Sequence, residues 1–154
     1  MDLERTFFVT IVAWRRVPIF RVEARARLLI EALLGYRDQK KYLLHEFVIM
    51  PDHVHLLLTP ASDISLERAV QFIKGGYSYR LRSVEKIQVW QESFANHRIR
   101  DFADYRRHCE YVRLNPVRAG LVRDVMAYSY SSASIGVGLD EMPRGLKPDF
   151  SKSA

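Results

Sequence analysis

Apolar positions recur along this chain with two different periods, and the switches between them outline its elements. Residues 5–14 (RTFFVTIVAW) concentrate β-branched and aromatic side chains and read as a buried strand. Past Pro18, over about 22–39, Ala26, Leu29, Ile30, Leu33 and Leu34 recur at three- and four-residue spacing, which predicts a helix. Residues 41–50 (KYLLHEFVIM) predict a second strand, Pro51-Asp52 a turn, and 53–59 a third strand pairing with the second as a hairpin. After a loop at 60–63, a helix is expected over 65–82. Its core stripe is Leu66, Ala69, Val70, Ile73, Tyr77 and Leu81, while Gln71, Lys74, Ser78 and Arg82 share a polar face. Gly75-Gly76 within it costs on the order of 1 kcal/mol per glycine relative to alanine, so the helix kinks there or a neighbour approaches its backbone closely. A short fourth strand falls within 93–100. Asp101 caps a third helix, expected to run to Asn115 and to stop at Pro116.

The order β-α-β-β-α-β with a further helix is the split βαβ pattern: an α+β, ferredoxin-like (or RRM-like) antiparallel sheet with helices on one face. The additional C-terminal helix carries a tyrosine of interest. Residues 1–134 form one domain, and 135–154 a Ser-, Gly- and Pro-containing tail whose composition allows disorder. The fold class by itself names no function.

Composition narrows the field. At 154 residues, 48% hydrophobic and 12% aromatic, the chain can bury a core and is not a disordered polymer. Cys109 is the single cysteine, which excludes a disulfide framework and an all-cysteine metal site. No apolar run approaches the roughly 18 residues of a membrane span. The N-terminus lacks the basic-then-apolar order of a secretion signal, so a cytoplasmic protein with no membrane partner is expected. The net charge of +6 is unevenly placed. Residues 61–123 hold 12 basic and 7 acidic side chains, while 1–60 hold 9 and 7 and 124–154 hold 3 and 4. A basic middle suits an anionic partner such as nucleic acid, or simply a solvated charged face.

The sharpest local feature is His53-Val54-His55. Strand alternation sends both imidazoles to one face and Val54, Leu56 and Leu58 to the other. Two imidazoles at that spacing can share a divalent ion; equally, they can be two partly buried, hydrogen-bonded histidines. On the third helix, Phe102, Tyr105, Cys109 and Val112 make the core stripe. Tyr111 is turned about 100° from it, with His108 and Asn115 three before and four after on its own face. Read as chemistry, Tyr111 supplies a phenolate nucleophile and Asn115 a third metal ligand. Read as packing, Tyr111 is a half-buried surface residue.

The segments MPDHVHLLL (50–58), VWQESFANHRIRD (89–101) and YVRLNPVRAGLV (111–122), followed by YSYSSAS, resemble the REP-associated tyrosine transposases. These belong to the insertion-sequence-type single-tyrosine transposases of the HUH superfamily. The resemblance runs from about residue 5 to about 134, in the family's order and spacing. It implies that His53 and His55 hold Mg²⁺ or Mn²⁺, with Asn115 completing the set where some related members carry Gln. It implies that Tyr111 attacks a DNA phosphate, forming a 5′-phosphotyrosine link and releasing a 3′-OH. The implied substrate is single-stranded DNA, often an imperfect palindromic hairpin. The implied setting is a prokaryotic cytoplasm, at the nucleoid, as a monomer or a homodimer.

For phosphate contact the expected residues are Lys74, Arg82, Arg98, Arg100, Arg106 and Arg113, with Lys74 foremost because it shares the polar helix face. Tyr77, Tyr79 and Trp90 are possible base-stacking surfaces, although Tyr77 lies on a core stripe. His97 reads as structural. Two rivals stand beside strand transfer: a nucleic-acid-binding module on the same fold, and a metal hydrolase that activates water at His53 and His55. A hydrolase has no need of Tyr111, and a pure binder needs neither the tyrosine nor the metal.

Overall fold

A computed structural model describes residues 4–135 and 139–148 of the chain. Four strands, β1 (Phe7–Val12), β2 (Tyr42–Met50), β3 (His53–Pro60) and β4 (Ala95–Arg98), form one antiparallel sheet in the order β2-β3-β1-β4. This is the expected ferredoxin-like arrangement. Helices α1 (Glu23–Asp38) and α2 (Leu66–Arg82) cover one face. Helix α3 (Phe102–Arg118) lies across the other, so the sheet is clothed on both sides. A single turn, α4 (Ser132–Ile135), packs beside β2.

The larger core is built where the alternation of β1 and β3 sends Val9, Ile11, Val54, Leu56 and Leu58 against Ala26, Leu29, Leu33, Ala69, Val70, Ile73 and Tyr77. All six residues of the predicted α2 stripe are buried. In β2 the alternation slips by one residue at a bulge between Leu44 and Glu46. Leu44 and Phe47, three apart, therefore both enter the main core. His45 and Glu46 together reach the α3 side, where His45 meets the Tyr105 ring and Glu46 meets Arg113.

One sequence expectation needs correction. Pro116 does not stop α3, which continues through it to Arg118. The stop is Gly120, whose φ of 74° suits a residue without a Cβ. Its N–H bonds to the Val117 carbonyl and that of Leu121 to the Pro116 carbonyl, closing the helix as a Schellman motif. Pro116 sits buried in the last turn, where the only intrahelical bond it forfeits is to the Val112 carbonyl. Part of the tail is described. Residues 139–148 pack on the body: Asp140 pairs with Arg37 and accepts from the Leu44 N–H, and Leu146 joins the cluster of Leu57, Ile99 and Tyr105. The rest of the tail, 136–138 and 149–154, lies outside the described residues.

The glycine pair also resolves. Helix α2 runs straight through, and the close neighbour is the Tyr36 ring of α1. A Cβ built on Gly76 would lie 1.9 Å from Tyr36 Oη and 2.6 Å from two ring carbons. Glycine to alanine in a helix interior ordinarily stabilises by up to about 1 kcal/mol. Gly76→Ala should instead destabilise by about 1–3 kcal/mol, because the ring must move. In the Tyr36→Ala background, the same substitution should lose that penalty. Urea unfolding of the four chains checks both signs.

Candidate active site

His53 and His55 point to the α3 face of β3, with ring centroids 4.6 Å apart at 73°. Each ring is held from behind through Nδ1. His53 Nδ1 donates to Asp52 Oδ1 at 2.7 Å. His55 Nδ1 lies 2.9 Å from the hydroxyl of Thr10, its cross-strand partner on β1. Because a carboxylate can only accept, His53 carries a proton on Nδ1, which leaves Nε2 as the ring atom that can ligate. His55 is left in the same state when the Thr10 hydroxyl accepts from it. Burial, and after it the charge of His53, pushes the His55 pKa down to about 3. The ring is therefore neutral near pH 7, the form that ligates metals. Two imidazoles, each oriented through its Nδ1, are a donor set that fits a divalent ion.

Phe8 of β1 forms the floor of the site. Its ring stacks on His55 at 5.1 Å, meets His108 at 4.8 Å and takes the Tyr111 ring edge-on at 5.8 Å. Tyr111 also stands edge-on to His55, 5.4 Å between centroids, and is 40% exposed. The sequence-predicted trio of His53, His55 and Tyr111 is thus brought together from β3 and α3. Asn115 is half-buried one turn beyond Tyr111, with its backbone inside the helix and its carbonyl accepting from Ala119.

Three polar anchors set where α3 lies. Asp101 caps it, accepting from the Asp104 N–H at 2.8 Å. Asp104, 4% exposed, accepts from His97 Nε2 of β4 (2.8 Å), from the Arg100 N–H (3.0 Å) and from Arg107 (3.3 Å), with His108 Nδ1 3.2 Å away. On the far side Glu46, also 4% exposed, receives the Arg113 guanidinium, with Nε at 2.8 Å, and the Ser132 hydroxyl. Sequence reasoning missed Phe8, Thr10, Asp52, Glu46 and Asp104. Glu46 had a visible signal as the one acid in a strand otherwise apolar but for His45; Phe8 and Thr10 had none, since their roles follow from strand register.

His97, Asp104 and His108 have ligand atoms within 4.8 Å of one another, a group that could hold a metal ion. His97 and His108 stack at 4.9 Å. The donors already gathered on the Asp104 carboxylate favour the structural role read for His97: a tie between β4 and α3.

The basic residues divide. Lys74 Nζ donates to the carbonyls of Gln91 (2.6 Å) and Glu92 (3.0 Å), and burial, opposed by Glu92, lowers its pKa. Arg113 serves Glu46. Arg82, Arg98, Arg100 and Arg106 are exposed. Of the stacking residues, Tyr77 and Trp90 are buried, Trp90 donating its indole N–H to the Lys74 carbonyl, so neither offers a face to a base. Tyr79 is exposed. Among the described residues no helix is long and apolar enough to cross a membrane.

Comparison with known proteins places this geometry. The family model described as Transposase IS200 like matches residues 6–113, a span that includes both histidines and Tyr111. A REP-associated tyrosine transposase of Escherichia coli (strain K12) is 27% identical over 143 residues, 92% of this chain and 81% of that protein. A Haemophilus influenzae protein given the same name provisionally is 30% identical over 116 residues, 66% of each chain. The solved structure of a REP-associated tyrosine transposase bound to a REP hairpin superposes with a TM-score of 0.74 at 25% identity, covering 97% of this chain and 91% of that one.

Burial pushes the Asp104 carboxyl up, but the His97 and Arg100 hydrogen bonds and the neighbouring histidine charges outweigh it and hold the group below the ordinary carboxylate value. A lowered folded-state pKa contributes stability that is present above the unfolded value and lost as pH falls through the folded one. Asp104→Asn should therefore cost about 2 kcal/mol at pH 7, and the difference from the unsubstituted chain should shrink below about pH 4. Urea unfolding at both pH values measures the gap; an equal gap at both would refute the carboxylate's role.

Proposed function

The chain belongs to the IS200-like transposase family, whose work is DNA transposition, and on that premise we propose that it is a metal-dependent endonuclease and strand transferase. Its substrate in this reading is single-stranded DNA flanked by an imperfect palindromic hairpin, as the hairpin-bound relative suggests. The observation that carries the proposal is the edge-on approach of Tyr111, from α3, to His55, from β3.

In this mechanism Tyr111 Oη attacks the scissile phosphorus. A P–O bond to tyrosine forms, the bond to the 3′-oxygen breaks, the phenol gives up its proton and the released 3′-oxygen takes one. The product is a 5′-phosphotyrosine link and a free 3′-OH. Because the link preserves the energy of the phosphodiester, rejoining needs no nucleotide. A tyrosine hydroxyl is a weak nucleophile near neutrality and needs an activated phosphate. His53 and His55, with Asn115, would hold Mg²⁺ or Mn²⁺, which when bound polarises the phosphate and neutralises charge on its oxygens. Asp52 and Thr10 keep the two imidazoles oriented, and Phe8 keeps water from the buried side of His55. Tyr111 is the element that a water-activating hydrolase would not require.

The arginines of the β4–α3 corner, Arg98, Arg100 and Arg106, with Arg82 at the end of α2, are the proposed phosphate contacts. Lys74 and Arg113 join them with part of their hydrogen-bonding capacity already committed to the protein. The active unit is residues 1–134, acting on the bacterial chromosome as a monomer or a homodimer.

With a labelled hairpin oligonucleotide and Mn²⁺, the chain should form a protein–DNA adduct that survives denaturation. Tyr111→Phe should reduce the adduct by about a thousandfold or more, and His53→Ala or His55→Ala should do the same. Asn115→Ala should have a smaller effect, and chelation should abolish the reaction. An adduct that persists in Tyr111→Phe would remove the tyrosine from the chemistry; cleavage indifferent to chelation would remove the metal.

A further inference from the structure

The turn that leaves β1 takes no part in the chemistry above, yet it sits at the edge of the site. Val12 is the cross-strand partner of His53, and two residues later the chain makes a tight turn at Trp14–Arg16. Arg15 and Arg16 both have positive φ, 52° and 54°, a region that L side chains enter at a cost and that two consecutive arginines rarely share. The surroundings impose it. Ala13 N–H bonds to the Asp52 carbonyl (2.9 Å), Trp14 N–H to the Val89 carbonyl (2.8 Å) and Arg16 N–H to the Ala13 carbonyl (2.9 Å). The Arg16 guanidinium reaches Asp52 at 3.5 Å, the same carboxylate that orients His53. Strain that is over-determined by its neighbours gathers at functional sites.

What the turn displays is specific. Trp14 is 37% exposed, and the Arg15 guanidinium lies over its ring, 5.1 Å from the centroid. One indole face thus carries a cation while part of the ring remains open to solvent. An open indole beside arginine is a stacking surface for an unpaired base, whose π-face is free where a paired base's is not. A guanidinium next to it matches the phosphate that follows. We propose that the Trp14–Arg16 turn is a nucleotide-binding site that stacks one unpaired base of the DNA strand on Trp14 and holds the adjoining phosphate with Arg15. The inference rests on the reading of the chain as a single-strand transferase. It adds how the strand is held beside His53: Arg16 stays with Asp52, and the base is gripped on the rim of the site, outside the metal set.

The chain has two tryptophans, and Trp90 is buried, so Trp14 carries any fluorescence response to DNA. The full chain bearing Tyr111→Phe, which prevents cutting, is titrated with an oligo(dT) strand of about 16 nucleotides and with a blunt duplex of the same length. The single strand should quench tryptophan emission, and Trp14→Phe should remove the quench. Trp14→Ala should weaken single-strand binding about tenfold, read by anisotropy of the labelled strand, and leave duplex binding unchanged. Arg15→Gly, which suits the backbone at that position, should reduce the slope of log affinity against log salt by about 0.7. Unchanged single-strand affinity in Trp14→Ala, or a quench that survives Trp14→Phe, overturns the site. If the site holds but the unsubstituted chain makes no covalent adduct, the transferase reading fails alone. If the adduct forms and Trp14→Ala binds normally, only the nucleotide site fails.

Discussion

The two-residue period of β3 is the constraint on which the candidate site depends. One set of its side chains, Val54, Leu56 and Leu58, must enter the main core, and that requirement fixes His53 and His55 on the opposite face. A slip of one residue would bury the imidazoles against α1 and α2 and turn three aliphatic side chains toward α3. The hydrophobic burial that stabilises the sheet therefore also guarantees that the histidines share a side. The same logic through β1 supplies Phe8 and Thr10, which alternate with the core residues Val9 and Ile11.

Helix α3 must then be placed against that face without filling it. Two small apolar clusters do this. Leu57, Ile99, Tyr105 and Cys109 lie at one end, and Val48, Met50 and Val112 at the other. Phe8 packs against both. The thiol of Cys109 is part of this packing, its pKa pushed up to about 11 by burial, so it is inert near neutrality. Contacts this small leave a helix free to slide. The buried carboxylates of Asp104 and Glu46 remove that freedom, because each is satisfied only at one position of the helix. Buried charge pairs contribute little net stability against an apolar alternative, but they discriminate sharply among registers. Here they settle where the Tyr111 ring stands relative to His55.

Much of this was legible in the sequence, for identifiable reasons. The α2 stripe, the His53-Val54-His55 alternation and the rotation of Tyr111 off its core stripe are local regularities of period 3.6 or 2. Strand and helix order followed from the same patterns. What escaped depends on contacts between distant segments. Thr10 and Phe8 acquire their roles only through the β1–β3 register, and Gly76 only through Tyr36. The bulge at Leu44 and Glu46 inverts an alternation that a strict two-residue reading would continue. At Pro116 the local rule against a helix continuing past proline fails, and α3 runs on to Arg118. The proline's missing N–H matters little so near the C-terminus, and Gly120 held the stronger stop signal.

The polar residues at the site fall into those that face the protein and those that face outward, and the division bears on how such a site can work. Asp52, Thr10, Asp104 and Glu46 spend their hydrogen bonds holding His53, His55 and α3. Tyr111 and the arginines of the β4–α3 corner keep exposed surface. An arrangement whose holding groups were also its binding groups would reorganise whenever a strand arrived, and geometry would be lost at the moment it is needed. Here the rigid set is paired before any strand arrives, Asp104 and Glu46 buried and Thr10 and Asp52 half-buried. Lys74, tied to the Gln91 and Glu92 carbonyls, belongs with the holders: it fastens the segment bearing Trp90 to α2. Two of its ammonium hydrogens are spent on those carbonyls, and the third is the one left for a phosphate.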